Sequence, residues 1–164
     1  SEIKQLISNK EIEEAKDKIL NFFTENTNDA VVISLYLECL LIRKEFDEID
    51  EFLASLTKEI KNSKEIDSVI KKIQIVKDSN KSDSIEFMIE KYNKDPKNIK
   101  LLLEISESYF AEGDYERAFL FLLNNYNKDK ESVKKKLVHF FEALGNEHEA
   151  TKAYRKKLSS LLFS

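Results

Sequence analysis

Apolar residues recur along this chain at helical spacing, in runs closed off by short polar breaks, and the runs themselves recur. Ile3, Leu6 and Ile7 mark a first stripe over residues 2–8 that stops at Asn9, which predicts the tail of a helix and hence half a unit. Residues 10–24 place Ile12, Ala15, Ile19, Phe22 and Phe23 on one face, and the polar break that follows ends in Asp29, suited to cap the next helix. Residues 30–44 are apolar around most of their circumference, so this helix should be covered on both sides and be the most buried. Its partner, residues 46–55, carries Phe46, Ile49, Phe52 and Leu53 on one face against Asp47, Glu48, Asp50 and Glu51 on the other.

The second half of the chain restates this pattern. Residues 64–78 keep Ile66, Val69, Ile70, Ile73 and Val76 in helical rhythm, and Asp83 and Glu86 stand at capping-box spacing beside the stripe Ile85, Met88, Ile89 and Tyr92. Asp95-Pro96 reads as an N-cap followed by proline at the first helical position, where its missing N–H does no harm. A last unit runs from Ser132 to Leu144, turns at Gly145-Asn146, and continues through Ala150, Ala153, Tyr154, Leu158, Leu161 and Leu162. Equivalent points of these hairpins, Ala15, Ile49, Ser84, Ala118 and Ala150, are 34, 35, 34 and 32 residues apart.

A period of this size is close to that of the tetratricopeptide (TPR) repeat, and residues 97–127 fit its pattern best. Leu102, Ile105, Ser106 and Tyr109 stand at the spacing of the W-x2-L-G-x2-Y element, Ala118 and Leu122 at A-x3-F, and Pro96 at the proline of the preceding unit. Small residues at 106 and 118 let two helix backbones approach, large ones beside them fill the crossing, and Gly113 relaxes the turn between. The third unit is the most degenerate, with lysines where small residues are preferred. The expected fold is therefore all-α: residues 1–164 as a single domain of TPR-like hairpins, about four and a half units in a right-handed solenoid. In such hairpins the first helix lines a concave groove, which makes Ser34, Glu38, Leu41, Leu103, Glu107 and Phe110 candidates for gripping a peptide or partner helix.

Composition narrows the chemistry. Two glycines and one proline leave no room for a phosphate-binding loop or a turn-rich sheet protein. Cys39, the single cysteine, lies among leucines and reads as a small core side chain in a reducing, cytoplasmic setting. His139 and His148 fall on different helices with no third ligand, and His139 reads as a packing residue beside Phe140 and Phe141. No catalytic, cofactor or metal residue is expected, and no apolar run reaches the roughly 20 residues of a membrane span. The charge of −4 is uneven: residues 1–60 hold 7 basic and 14 acidic side chains, whereas residues 128–164 hold 9 and 5. Such asymmetry can steer a partner, although Lys and Glu on outer helix faces are also ordinary solvation. Lys134 to Lys136 with Arg155 to Lys157 form a basic patch, but net acidity and the lack of a binding motif argue against nucleic acid.

The final units carry a resemblance. Residues 136–163, KLVHFFEALGNEHEATKAYRKKLSSLLF, resemble the C-terminal end of bacterial thioredoxin-like TPR proteins, the co-chaperonin and holdase family often called YbbN or CnoX. The matching elements are Phe141-Glu142-Ala143-Leu144-Gly145, followed by Tyr154, Arg155, Leu158, Leu161, Leu162 and Phe163, and the segments at 10–20 and 113–118 also fit. The resemblance implies an N-terminal thioredoxin fold that this chain lacks, so a C-terminal fragment is expected, and Cys39 inherits no redox role. It implies binding of unfolded clients and docking to the chaperonin, with Tyr154, Arg155, Leu158, Leu161, Leu162 and Phe163 as the contributing residues of the last helix. Their apolar end either folds back on the hairpin or stands exposed as an anchor.

Overall fold

Helix follows helix in the computed structural model, which describes residues 2–23, 28–79 and 83–163. Among the described residues there are eleven α-helices, one 3-10 turn and no strand. They divide into two compact units, one ending at Val69 and the other beginning at Ile70.

The first unit holds α1 (Glu2–Ser8), α2 (Ile12–Phe23), α3 (Ala30–Ile42), α4 (Phe46–Ser55), the single turn α5 (Lys58–Lys61) and the start of α6 (Lys64–Asp78). Asp29 caps α3 as expected, accepting from the N–H groups of Val31 and Val32; the polar break before it falls largely on residues 24–27, outside the described residues. Seven side chains of α3 are buried, more than on any other described helix, which follows from an apolar sequence packed by α1, α2 and α4. Leu6, Ile12, Ala15, Ile19, Val32, Leu35 and Cys39 form a core, and Phe23, Tyr36 and Phe52 pack as a ring triangle. No periodicity marks α5, because one turn capped by the Thr57 hydroxyl needs no apolar stripe.

The second unit continues α6 and adds α7 (Ile85–Lys94), α8 (Ile99–Ala111), α9 (Tyr115–Asn124), a 3-10 turn (Tyr126–Lys128), α10 (Lys130–Leu144) and α11 (Glu149–Leu162). Each helix from α7 onward packs on its neighbour in sequence, and α8 meets α10 while α9 meets α11, as stacked hairpins require. Ser106 and Ala118 are fully buried where α8 crosses α9, and the Ser106 hydroxyl donates to the Leu103 carbonyl at 2.7 Å. Phe119 is the hub of the core, with rings of Phe140, Phe141 and Tyr154 around it.

Two caps differ from the sequence expectation. Ser84, not Asp83, starts α7, accepting from the Phe87 N–H at 3.2 Å, while Asp83 pairs with Lys91. Asp95 ends α7 rather than starting α8: its N–H donates to the Lys91 and Tyr92 carbonyls, and Asn98 caps α8 by accepting from the Leu101 N–H. Pro96 therefore lies in the connecting turn, two residues ahead of the cap. The degeneracy of the third hairpin has a physical source in Lys72, which stands on α6 where Ser106 stands on α8, 34 residues later. Its long side chain cannot admit the close helix crossing that Ser106 allows, and its ammonium lies over the Tyr115 ring.

Three hairpin turns share one geometry. Lys10, Lys44 and Gly113 all have positive φ, at 64°, 56° and 81°. In each the N–H of that residue and of the next bond back to the two carbonyls that a Schellman turn uses: Ile7 and Leu6, Leu41 and Leu40, Phe110 and Tyr109.

Candidate protein-interaction site

Helix α11 is held from one side only. The His148 Nδ1 accepts from the Ala150 N–H at 3.1 Å and caps its start, and its buried residues are Thr151, Tyr154 and Leu158, spaced three and four apart on a single stripe. Tyr154 stacks on Phe119. Arg155 points to the surface, where both terminal nitrogens donate to Asn146 Oδ1 at 3.2 Å and the guanidinium lies over the Phe141 ring. Beyond Leu158 burial stops: Leu161 and Leu162 are exposed and Phe163 is 88% exposed. Of the six residues singled out on this helix, Tyr154 and Leu158 thus anchor it, while Arg155, Leu161, Leu162 and Phe163 face outward.

A second arrangement joins the first helices of successive hairpins in the second unit. Lys71 on α6 pairs with Glu142 on α10 at 2.8 Å, and Lys136 on α10 pairs with Glu107 on α8 at 2.7 Å. His139 lies among these charges, with its Nε2 buried and without a hydrogen-bond partner among the described residues. Burial lowers its pKa, Lys136 and Lys71 push the same way, and Glu142 and Glu107 oppose them. Glu107 was legible as a candidate from position alone. Lys71, Lys136 and Glu142 were not: Lys136, His139 and Glu142 share a stripe at i, i+3 and i+6, but Lys130, Glu131, Lys134 and Lys135 on the same helix keep that stripe from standing out.

The other groove candidates separate by burial. Leu103 is half-buried, but Phe110 is 1% exposed and stacks on Phe140, so it is a core residue. In the first unit Ser34 and Glu38 are half-buried, the Ser34 hydroxyl donates to the Val31 carbonyl, and Leu41 is buried. Burial also decides Cys39, whose thiol is pushed up to about 11 and which is fully buried. Among the described residues no group of His, Cys, Asp and Glu is placed to hold a metal ion, and no helix is long and apolar enough to cross a membrane.

Packed hairpins with outward-facing, chemically unspecialised side chains define a helical-repeat protein of the kind that works by binding other proteins. The chain belongs to the tetratricopeptide repeat family, whose pattern matches residues 78–163. Among solved structures it is similar to a domain of VP0806, a protein of unknown function from Vibrio parahaemolyticus RIMD 2210633. The two are 24% identical over 98% of this chain and 95% of that one, with a TM-score of 0.45. No curated protein matches the sequence.

Proposed function

We propose that this chain is the protein-binding region of a cytoplasmic, thioredoxin-like chaperone of the co-chaperonin and holdase kind, which docks on a chaperonin through α11 and holds unfolded clients. The observation that carries this reading is the end of α11, where Leu161, Leu162 and Phe163 are exposed on a helix anchored by Tyr154 and Leu158. Large apolar side chains grouped at the surface mark interaction sites. The choice of partner rests on the resemblance of the terminal motif. The domain acts by surface complementarity, with Arg155 held ready at the rim and no bond-making chemistry of its own. Calorimetry with a purified chaperonin tests it: Leu161→Ser with Phe163→Ser should weaken binding by at least about tenfold. Undiminished affinity would remove the docking assignment.

The paired charges of α6, α8 and α10 favour a second reading, a scaffold that grips a peptide along its first helices. Glu107 and Lys136 beside half-buried Leu103 offer an extended segment both polarity and apolar contact. Peptides selected on an array should lose binding to Glu107→Lys, and hits indifferent to that change would exclude this face.

A further inference from the structure

We propose that the outward face of α11 docks along α4 of a second copy of this chain, with Phe163 seated in a cavity beside the end of α4. The two faces are complementary in charge. Lys152, Lys156 and Lys157 stand exposed on α11, and Asp47, Glu48 and Glu51 stand exposed on α4. They sit in segments of opposite sign, since residues 1–60 carry twice as many acidic as basic side chains and residues 128–164 the reverse excess.

The apolar parts match as well. A cavity of about 330 Å³ at the C-terminal end of α4 is lined by Phe23, Phe52, Leu56 and Ile60. Asn28, Ser55 and Thr57 complete the lining, and the hydroxyls of Ser55 and Thr57 are already engaged, with the Phe52 carbonyl and the Ile60 N–H respectively, so four of its seven residues present apolar side chains beside one amide. A cavity of about 150 Å³ is enough to hold a benzene ring, and Phe163 is the most exposed large apolar side chain described.

The register agrees. Lys156 precedes Phe163 by seven residues, and Glu48 precedes Ser55 by seven. Seven residues are two helical turns, so each pair lies on one face of its helix, separated by about 10 Å. Parallel packing of α11 on α4 therefore sets Lys156 against Glu48 while Phe163 reaches the cavity. Donor and acceptor surfaces lie in different parts of the chain, so the contact is heterologous and each copy offers both halves. Because it buries Phe163, self-association competes with partner docking through the end of α11; that consequence alone rests on the function proposed above.

Sedimentation of the purified chain alone, across a wide concentration range at low and high salt, tests the contact. The average mass should rise with concentration and fall with salt. Lys156→Glu and Glu48→Lys should each reduce association at least about tenfold, and mixing the two variants should restore it, since the altered α11 of one then meets the altered α4 of the other. Phe163→Ser should weaken it comparably. All three positions are exposed, and circular dichroism will verify that the fold is kept. A mass independent of concentration, or charge variants that neither lose association singly nor regain it on mixing, would overturn the proposal. A chaperonin that fails to bind leaves these outcomes unaffected, so the two assignments fail separately.

Discussion

The ring of Phe119 on α9 lies parallel to that of Tyr154 on α11, with centroids 4.8 Å apart and planes 14° from one another. This stack ties the last helix to the core, and Phe119 also meets Phe140 and Phe141 on α10. Phe119→Ala should therefore cost about 3–5 kcal/mol in denaturant unfolding of the second unit. Phe163→Ala, a change at the surface, should stay within about 0.5 kcal/mol. Equal effects at the two sites would contradict the packing of α11. At the neighbouring crossing, Ala118→Trp should cost about 1–3 kcal/mol by overpacking, seen as a lower melting temperature.

The turns make a sharper test because the same geometry is built from different residues. Lys44 holds a left-handed conformation that strains any residue with a β-carbon, whereas Gly113 holds it freely. Lys44→Gly should stabilise the first unit by about 0.5–1 kcal/mol, the relief of strain exceeding the added freedom of the unfolded chain. Gly113→Ala should destabilise the second by about 1 kcal/mol. Nothing lies within 4 Å of the added methyl, so the backbone alone sets this value. Urea titrations of both variants decide it.

These turns also show why the sequence is legible in part. Gly113 announces its turn because glycine is the residue chemistry prefers there, and it marks the phase of the repeat. Lys10 and Lys44 occupy the same place unannounced, since the two backbone hydrogen bonds that close each turn hold the left-handed residue whatever its side chain. Helices and buried faces could be read from apolar spacing because burial is what that spacing expresses. Caps were less secure: Ser84 beside Asp83, and Asn98 three residues beyond Asp95, offer equivalent side chains, and tertiary packing selects between them. On α11 the motif singled out six residues, but only packing separates Tyr154 and Leu158, which anchor, from Phe163, which is presented. The Lys136–Glu107 and Lys71–Glu142 pairs join distant helices and leave no trace in local pattern.

Cys39 should be nearly inert in the folded chain. Burial raises its pKa from 9.0 to about 11, which lowers the thiolate fraction roughly a hundredfold at mildly alkaline pH, and the sulfur is shielded besides. Alkylation followed by mass spectrometry should show slow modification without denaturant and rapid modification in it. Fast labelling of the native chain would place Cys39 nearer the surface than α3 puts it.

His139 should give the second unit a dependence on pH. Its folded pKa lies below the unfolded value of 6.5, chiefly through burial, with Lys136 and Lys71 adding to the effect and Glu142 and Glu107 opposing it. The unfolded chain then takes up the proton more readily, so this contribution to stability is complete above about pH 6.5 and is lost as pH falls through the folded value. Protonation also sets a cation beside Lys136 and Lys71 and disturbs the two ion pairs that link α10 to α8 and α6. Asp129, held below the usual carboxylate range by the Ser132 N–H and hydroxyl, loses its contribution only at lower pH, below about pH 4, which keeps the two windows apart. His139→Phe should lose less stability than the unaltered chain between about pH 7 and about pH 5, measured by urea unfolding at each pH. Parallel curves over that interval would show that His139 is not the titrating group.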